Sequence, residues 1–90
     1  MEKYLVIIEK AENNYSAFSP DVPGCVATGT SVEDTTTAMK EALEFHLEEA
    51  NEIPRPKGMS QHIEDGIFKN GEVAEVFFIT EVAVQISHHA

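Results

Sequence analysis

Residues 18–34 constrain the fold more than any other stretch of this chain. Pro20 and Pro23 lack a backbone N–H, so the segment around them cannot continue a hydrogen-bonded ladder and predicts a turn-rich loop. Ser31 is a favourable helix N-cap, and Asp34 stands three residues later, as in a capping box. The stretch therefore predicts a strand end, a loop, a short strand and a helix start.

Three short strands are predicted in the first third of the chain. Tyr4–Ile8 is a continuous apolar run between charged residues, which is typical of a central strand buried on both faces. Asn13 and Asn14 supply a polar turn. Tyr15–Ser19 alternates and predicts a second strand, antiparallel to the first. Cys25–Thr28 predicts a short third strand.

A long amphipathic helix follows, from about Val32 to Asn51. It has to end before Pro54, because the residue that precedes a proline is pushed out of the helical region. At 100° per residue, one line along the helix predicts its core face. That line consists of Val32, Met39, Leu43 and Ala50, flanked by Thr36, His46 and Leu47.

The region between the helix and the C-terminal third carries mostly turn signals. Arg55–Gly58 predicts an extended linker. Asn70-Gly71 could close a small hairpin between Ile67–Lys69 and Glu72–Ala74.

Glu75–Ile86 is a long strand-like run. Twelve residues is long for a strand, so the run predicts either a bend near Thr80 or an overhang beyond its own sheet. An overhanging apolar strand invites pairing with a second chain, which predicts a homo-oligomer. The side chains expected on one face of this strand are Val76, Phe78, Thr80, Val82, Val84 and Ile86.

The predicted order is β-β-β-α-β in a single domain over residues 1–90, with residues 57–90 as a loop and the long C-terminal strand. Three antiparallel strands followed by a crossover helix would place the last strand parallel to an earlier one. The expected architecture is a two-layer α+β fold, a small sheet with one main helix packed on it.

Composition narrows the class of partner. The formal net charge is −10, from sixteen acidic and six basic side chains. Direct binding to nucleic acid is not expected, because a phosphate backbone demands the opposite sign. Acidity either aids solubility or suits a basic partner. With no run long enough to span a bilayer and a single cysteine, the sequence predicts no membrane association and a cytoplasmic location.

No catalytic, metal or cofactor site is predicted. Asp21, between two prolines, favours a local side-chain bond to backbone N–H groups. Cys25 is interpreted as a small core residue. His46 is expected to be packed at the edge of the helix core. The remaining histidines, His62, His88 and His89, have no spacing that defines a metal site.

The outer face of the predicted helix is the candidate binding surface. Glutamates repeat along this face at helical spacing. Like charges so placed mildly destabilise a helix, so local stability does not explain their presence. Either the face is merely solvated, or it docks a basic partner. Phe45 falls within about 40° of the acidic residues and away from the core, where an aromatic ring can anchor an interface. The candidate partner-binding residues are Glu41, Glu44, Phe45, Glu48 and Glu52.

Several stretches together resemble one family. The stretches are Tyr4-Leu-Val-Ile-Ile, Tyr15-Ser-Ala-Phe-Ser-Pro-Asp-Val-Pro-Gly-Cys, Thr28-Gly-Thr-Ser-Val-Glu-Asp, and Ala38 through Glu49 followed by Ile53-Pro54. Over roughly residues 3–56 they resemble the N-terminal domain of the HicB family. The resemblance implies a partial ribonuclease-H-like fold and an antitoxin role. Family members bind HicA, a small basic toxin that cleaves RNA, and cover its active site. Many also carry a C-terminal DNA-binding domain, but here the residues after 56 look like strand.

Three hypotheses for function follow. The first is a non-catalytic antitoxin that binds and neutralises a HicA-type toxin. The second is a HicB-like homo-oligomer without a toxin, assembled through Glu75–Ile86. The third, a residual nuclease, is disfavoured because the interior of the first strand, Leu5–Ile7, offers no carboxylate to hold a cation.

Overall fold

The computed structural model describes residues 2–50, 52–67 and 77–84. Within them the chain forms one sheet, one main helix packed on it and one short helix. This is the two-layer α+β architecture that the sequence predicts. The elements are β1 (Glu2–Lys10), β2 (Tyr15–Phe18), β3 (Val26–Gly29), α1 (Val32–Glu48), α2 (Met59–Glu64) and β4 (Phe77–Val84).

The sheet order is β3-β2-β1-β4, and every neighbouring pair is antiparallel. β4 is therefore antiparallel to its neighbour β1 and runs in the same direction as β2, so the last strand is parallel to an earlier strand, as predicted, although the two are not adjacent. The chain beyond α1 reaches the end of the sheet where β1 begins, since the Tyr4 hydroxyl donates to the Pro54 carbonyl at 2.8 Å. Phe77 pairs with Glu9, at the other end of β1. β4 therefore runs against β1.

β1 is an interior strand of this sheet, and Tyr4–Ile8 are at most 2% exposed. Both results confirm the prediction from the unbroken apolar run. Alternate residues point to opposite faces, and those on the α1 side join the main core. That core contains Tyr4, Val6, Ile8, Ala17, Val22, Cys25, Met39, Leu43, Leu47, Val82 and Val84.

α1 begins as the capping pattern predicts. The Ser31 hydroxyl accepts a hydrogen bond from the Asp34 backbone N–H at 3.0 Å. The Asp34 carboxylate accepts from the Thr30 hydroxyl at 3.1 Å. α1 ends at Glu48, earlier than the predicted Asn51.

The core face of α1 differs in part from the predicted one. The buried residues are Thr35, Met39, Leu43 and Leu47. His46, which was expected to be packed, is exposed. At the C-terminal end of α1 the buried line has moved to Leu47, and His46 lies about 100° around the helix from it.

Gly29 is required by close packing between β3 and α1. A Cβ at this position would lie 2.5 Å from the Thr35 Oγ1 and 2.8 Å from the Thr35 backbone nitrogen. Any side chain would therefore push α1 away from the sheet. This contact could not be predicted from the sequence, because it exists only once β3 and α1 are packed together.

Some predicted features lie outside the described residues. The Asn70-Gly71 hairpin is among them, as are Val76, Ile86, His88 and His89. Residues 54–58 have no regular secondary structure, in line with the predicted linker, whereas α2 was not predicted. No helix in the described ranges combines the length and apolar composition needed to cross a bilayer.

Candidate functional site

The outer face of α1 carries the acidic residues that the sequence singled out. Glu41 and Glu48 are exposed, Glu44 is half-buried, and Glu52 is exposed just beyond the helix. We call Glu41, Glu44, Phe45, Glu48 and Glu52 the acidic face. Because the buried line of α1 is on the opposite side of the helix, the face points away from the sheet.

The charges of the acidic face are not neutralised within the described part of the chain. The ion pair found there joins Lys57 to Asp65, and the His62–Asp21 contact also lies outside α1. Exposed like charges along one helix face cost a few tenths of a kcal/mol each. A cationic surface laid against this face would remove that repulsion.

Phe45 is 69% exposed in the middle of this face. No other large apolar side chain in the described residues is as exposed. A buried aromatic ring contributes strongly to an interface, whereas an exposed ring gains nothing for the fold. The geometry therefore offers an apolar anchor surrounded by carboxylates.

β4 lies at one edge of the sheet, so its outer backbone edge faces no strand among the described residues. Its two ends differ. Phe78 and Ile79 are 43% and 38% exposed, while Val82 and Val84 are buried in the core at 5% and 1%. Thr80 is half-buried. Among the predicted oligomer residues that the structure describes, Phe78 presents the large exposed apolar surface, while Val82 and Val84 are buried in the core.

A second, unpredicted cluster surrounds Asp21, whose side chain is fully buried. Its Oδ2 accepts from the Leu5 N–H at 3.3 Å, and its Oδ1 accepts from the Lys57 N–H at 2.9 Å. The His62 Nε2 lies 2.7 Å from Oδ1. Since both oxygens already accept, the ring nitrogen donates. We call this cluster the Asp21 junction.

The Asp21 junction corrects the sequence-based interpretation of Asp21. Backbone N–H groups do bond to its carboxylate, but they come from distant segments rather than from the local turn. Leu5 lies beyond the last β1–β2 pair, Ile7↔Phe18. Its N–H therefore has no strand partner on that side, and the carboxylate takes the place of the missing carbonyl.

Two successive turns hold Asp21 in place. The Val22 N–H donates to the Ser19 carbonyl, and the Cys25 N–H donates to the Val22 carbonyl, at 3.1 and 3.2 Å. Each turn has a proline in its second position, which presets the backbone angle. Gly24, the third residue of the second turn, has φ +87°, as a type II turn requires. The prolines that end β2 therefore also rigidify the loop that carries the carboxylate.

The role of His62 in this cluster was not predicted from the sequence. It is the buried residue of α2, and its contact with Asp21 attaches this short helix to the loop. No periodicity or metal-ligand spacing links residues so far apart in sequence. The available signal was a histidine within a polar segment, and the sequence pattern does not show whether that histidine is buried.

Three titratable groups near this end of the sheet have shifted pKa values. Burial, with Glu2 and Asp21 nearby, raises the pKa of Tyr4. Burial also raises the pKa of the Cys25 thiol, which keeps it protonated and unreactive. Hydrogen bonds from Lys57 and Gln61 lower the pKa of Asp65 at the surface. Cys25 is thus a core residue, as the sequence predicts.

The side chains that could bind a metal ion are dispersed over residues 2–50, 52–67 and 77–84. No three His, Cys, Asp or Glu side chains in these ranges are arranged to hold a metal ion. The one fully buried carboxylate, Asp21, already receives three hydrogen bonds. The donors to this carboxylate thus come from the chain itself.

Comparison with known proteins identifies the family. The family described as the HicB-like antitoxin of bacterial toxin–antitoxin systems matches residues 4–88. A curated relative, an uncharacterized 14.9 kDa protein in the rep–hol intergenic region of Haemophilus phage HP1, is 33% identical over 94% of this chain. The chain spans 62% of that phage protein.

Two solved structures share the fold. The antitoxin HicB of Burkholderia pseudomallei superposes with a TM-score of 0.71 at 21% identity, over 93% of this chain and 64% of its own. A chain in a structure described as the HicA3 and HicB3 toxin–antitoxin complex superposes with a TM-score of 0.70 at 24% identity, over 92% of this chain and 98% of its own. At these identities the likeness shows the fold alone.

The Asp21 junction predicts a large loss of stability on a near-isosteric change. Asp21→Asn places an amide NH₂ against N–H donors and leaves at least one of them unsatisfied. The free energy of unfolding should fall by about 2–4 kcal/mol in urea denaturation. Asp65→Asn is the matched control at the exposed carboxylate and should cost less than about 1 kcal/mol. Equal losses in the two variants would contradict the junction's role.

Tyr4 predicts a loss of stability at alkaline pH. Its pKa is raised in the folded state, so its contribution is fully present below about pH 10 and is lost as the pH rises through the folded pKa. Tyr4→Phe should cost about 1 kcal/mol at pH 8, from the lost bond to Pro54. The difference in free energy of unfolding between the wild type and Tyr4→Phe should shrink above pH ~10. Tyr15→Phe is the control, because it retains Tyr4 and should lose stability at alkaline pH as the wild type does. A difference between the wild type and Tyr4→Phe that stays constant across the pH range would refute the prediction.

Proposed function

Because this chain belongs to the HicB-like antitoxin family, we propose that it is a non-catalytic antitoxin that binds and neutralises a small basic RNA-cleaving toxin of the HicA type. The acidic face of α1 is the proposed contact surface. The observation that carries this assignment is Phe45, 69% exposed among unpaired glutamates. The toxin's active site is covered by the bound antitoxin, and both act in the cytoplasm.

Charge supports the choice of partner. A net charge of −10 attracts a basic protein over long range, which speeds encounter and disfavours acidic competitors. The similar chain in the HicA3–HicB3 complex has the same fold and nearly the same extent as this chain. This likeness supports a partner of the HicA type.

Geometry supports the choice of surface. α1 has seventeen residues and is about 25 Å long, enough for one side of a standard interface. The helix is rigidly held, because its opposite side is packed in the core through Met39, Leu43 and Leu47. Little ordering entropy would be lost when a partner docks on it.

The Phe45→Ala variant tests this surface. Loss of a central aromatic anchor should weaken binding to a HicA-type toxin encoded beside the gene at least tenfold, or about 1.4 kcal/mol. The free energy of unfolding should change by less than about 0.5 kcal/mol, since the ring is exposed. Isothermal titration and urea denaturation measure the two quantities.

Val26→Ala is the matched control, because Val26 is 67% exposed on β3, at the opposite edge of the sheet from β4. It should leave binding unchanged. Raising the ionic strength should weaken the wild-type complex, since exposed charges are screened. Unchanged binding by Phe45→Ala with a lowered melting temperature would show that Phe45 is an ordinary packing residue and that the acidic face is merely solvated.

The second candidate is a homo-oligomer of the same fold with no toxin, favoured by the edge position of β4 and the exposure of Phe78 and Ile79. Pairing of two β4 edges would bury both side chains. Light scattering of the isolated chain distinguishes this candidate: a monomer at all concentrations excludes it. A dimer dissociated by Ile79→Lys would support it.

A further inference from the structure

Phe45 has carboxylates on both sides of it along α1. Its side chain is 69% exposed. Residues three and four positions apart are neighbours on a helix surface, so Glu41 lies one turn before the ring, and Glu48 and Glu49 lie one turn after it. All three glutamates are exposed, and Glu49, the C-cap, keeps helical backbone angles. The ring is therefore flanked in both directions by groups that accept hydrogen bonds.

The C-terminal end of α1 adds negative potential at the same place. Phe45 lies in the last turn of the helix, which ends at Glu48. Aligned peptide dipoles give a helix C-terminus a partial negative charge, which favours a nearby cation. Within the described part of the chain, the ion pair and the histidine–carboxylate contact both lie outside α1. This end of the helix thus favours a positive charge supplied by a partner.

The exposed ring is a second, independent reason to expect a cation. The face of an aromatic ring carries negative electrostatic potential, and a cation within about 6 Å of the ring centre is attracted to it. The core does not use the ring of Phe45, because the buried line of α1 is on the opposite side of the helix. The ring and the carboxylates therefore point to the same kind of ligand through two different interactions.

An arginine side chain fits this arrangement better than a lysine side chain. The guanidinium group is planar and weakly hydrated, so it stacks on a ring, and its forked N–H donors can reach carboxylates on two sides at once. Such charge-assisted hydrogen bonds are about twice as strong as neutral ones. A lysine ammonium is compact and strongly hydrated, so it gains less by leaving water for an exposed ring.

We infer that Phe45, Glu41 and Glu48 together bind an arginine side chain of the partner, with the guanidinium stacked on the ring and donating to the carboxylates. This inference rests on the proposed function, since the partner is the HicA-type toxin. It adds the side chain by which a basic partner is recognised. The charges attract any basic protein, and the ring selects arginine.

Two peptides of equal charge test the inference, acetyl-Arg-Gly-Arg-amide and acetyl-Lys-Gly-Lys-amide, each titrated into the full chain and followed by NMR. The arginine peptide should shift the Phe45 ring protons and the amides of residues 41–49 saturably. It should bind about threefold more tightly than the lysine peptide. Equal affinities for the two peptides, or shifts scattered over every acidic part of the surface, would overturn the inference.

Phe45→Leu separates the aromatic face from the apolar area. Leucine keeps an apolar side chain and a high helix propensity but has no ring on which a guanidinium can stack. The variant should bind the two peptides equally, while its free energy of unfolding stays close to that of the wild type because the position is exposed. A preference for arginine that survives this change would contradict the inference.

Glu41→Gln and Glu64→Gln form a matched pair. Each removes one negative charge from an exposed helical position, and only Glu41 borders the ring, since Glu64 belongs to α2. Glu41→Gln should weaken binding of the arginine peptide more than Glu64→Gln does. Equal weakening would show attraction by net charge alone and would overturn the inference.

The toxin titration with Phe45→Ala reports on the proposed function separately. Toxin binding that depends on Phe45, combined with equal affinities for the two peptides, would refute the arginine site while the proposed function stands.

Discussion

One buried carboxylate joins the parts of this fold that the sheet alone does not connect. Asp21 receives hydrogen bonds from Leu5 in β1, from Lys57 in the segment after α1 and from His62 in α2. Without this carboxylate, each of these donors would lack a hydrogen-bond partner, at a cost of about 1–3 kcal/mol. The Asp21 junction is therefore the point at which the chain beyond α1 is attached to the first hairpin.

This attachment determines where the acidic face stands. α1 is held from within by its apolar side, and the chain just after it is held by the Tyr4–Pro54 hydrogen bond and by Lys57 at the junction. Glu52, between these fixed points, is kept beside the end of the helix. A surface of unpaired carboxylates with an exposed aromatic ring is thus presented on a rigid support. Rigidity of this kind favours binding without loss of conformational freedom.

The local parts of the fold were predictable from the sequence, and the long-range parts were not. The apolar run of β1 and the Ser31 cap follow from interactions within a few residues. The position of β4 beside β1 is a pairing between residues more than 65 apart in sequence, such as Glu9 and Phe77, which no periodicity encodes. The acidic face was located by helical spacing alone, although Glu44 is half-buried. The contact of His62 with Asp21 was not predicted, because it arises from burial in the assembled structure.

The proposed antitoxin role requires the acidic face of α1 to contact a basic toxin. Hydrogen–deuterium exchange of the chain, alone and with a HicA-type toxin protein, is the sharpest test of that contact. We expect slowed exchange in α1 over residues 41–49, with no change in β4. Slowed exchange confined to residues 77–84, or no change in α1 at saturating partner, would contradict the account.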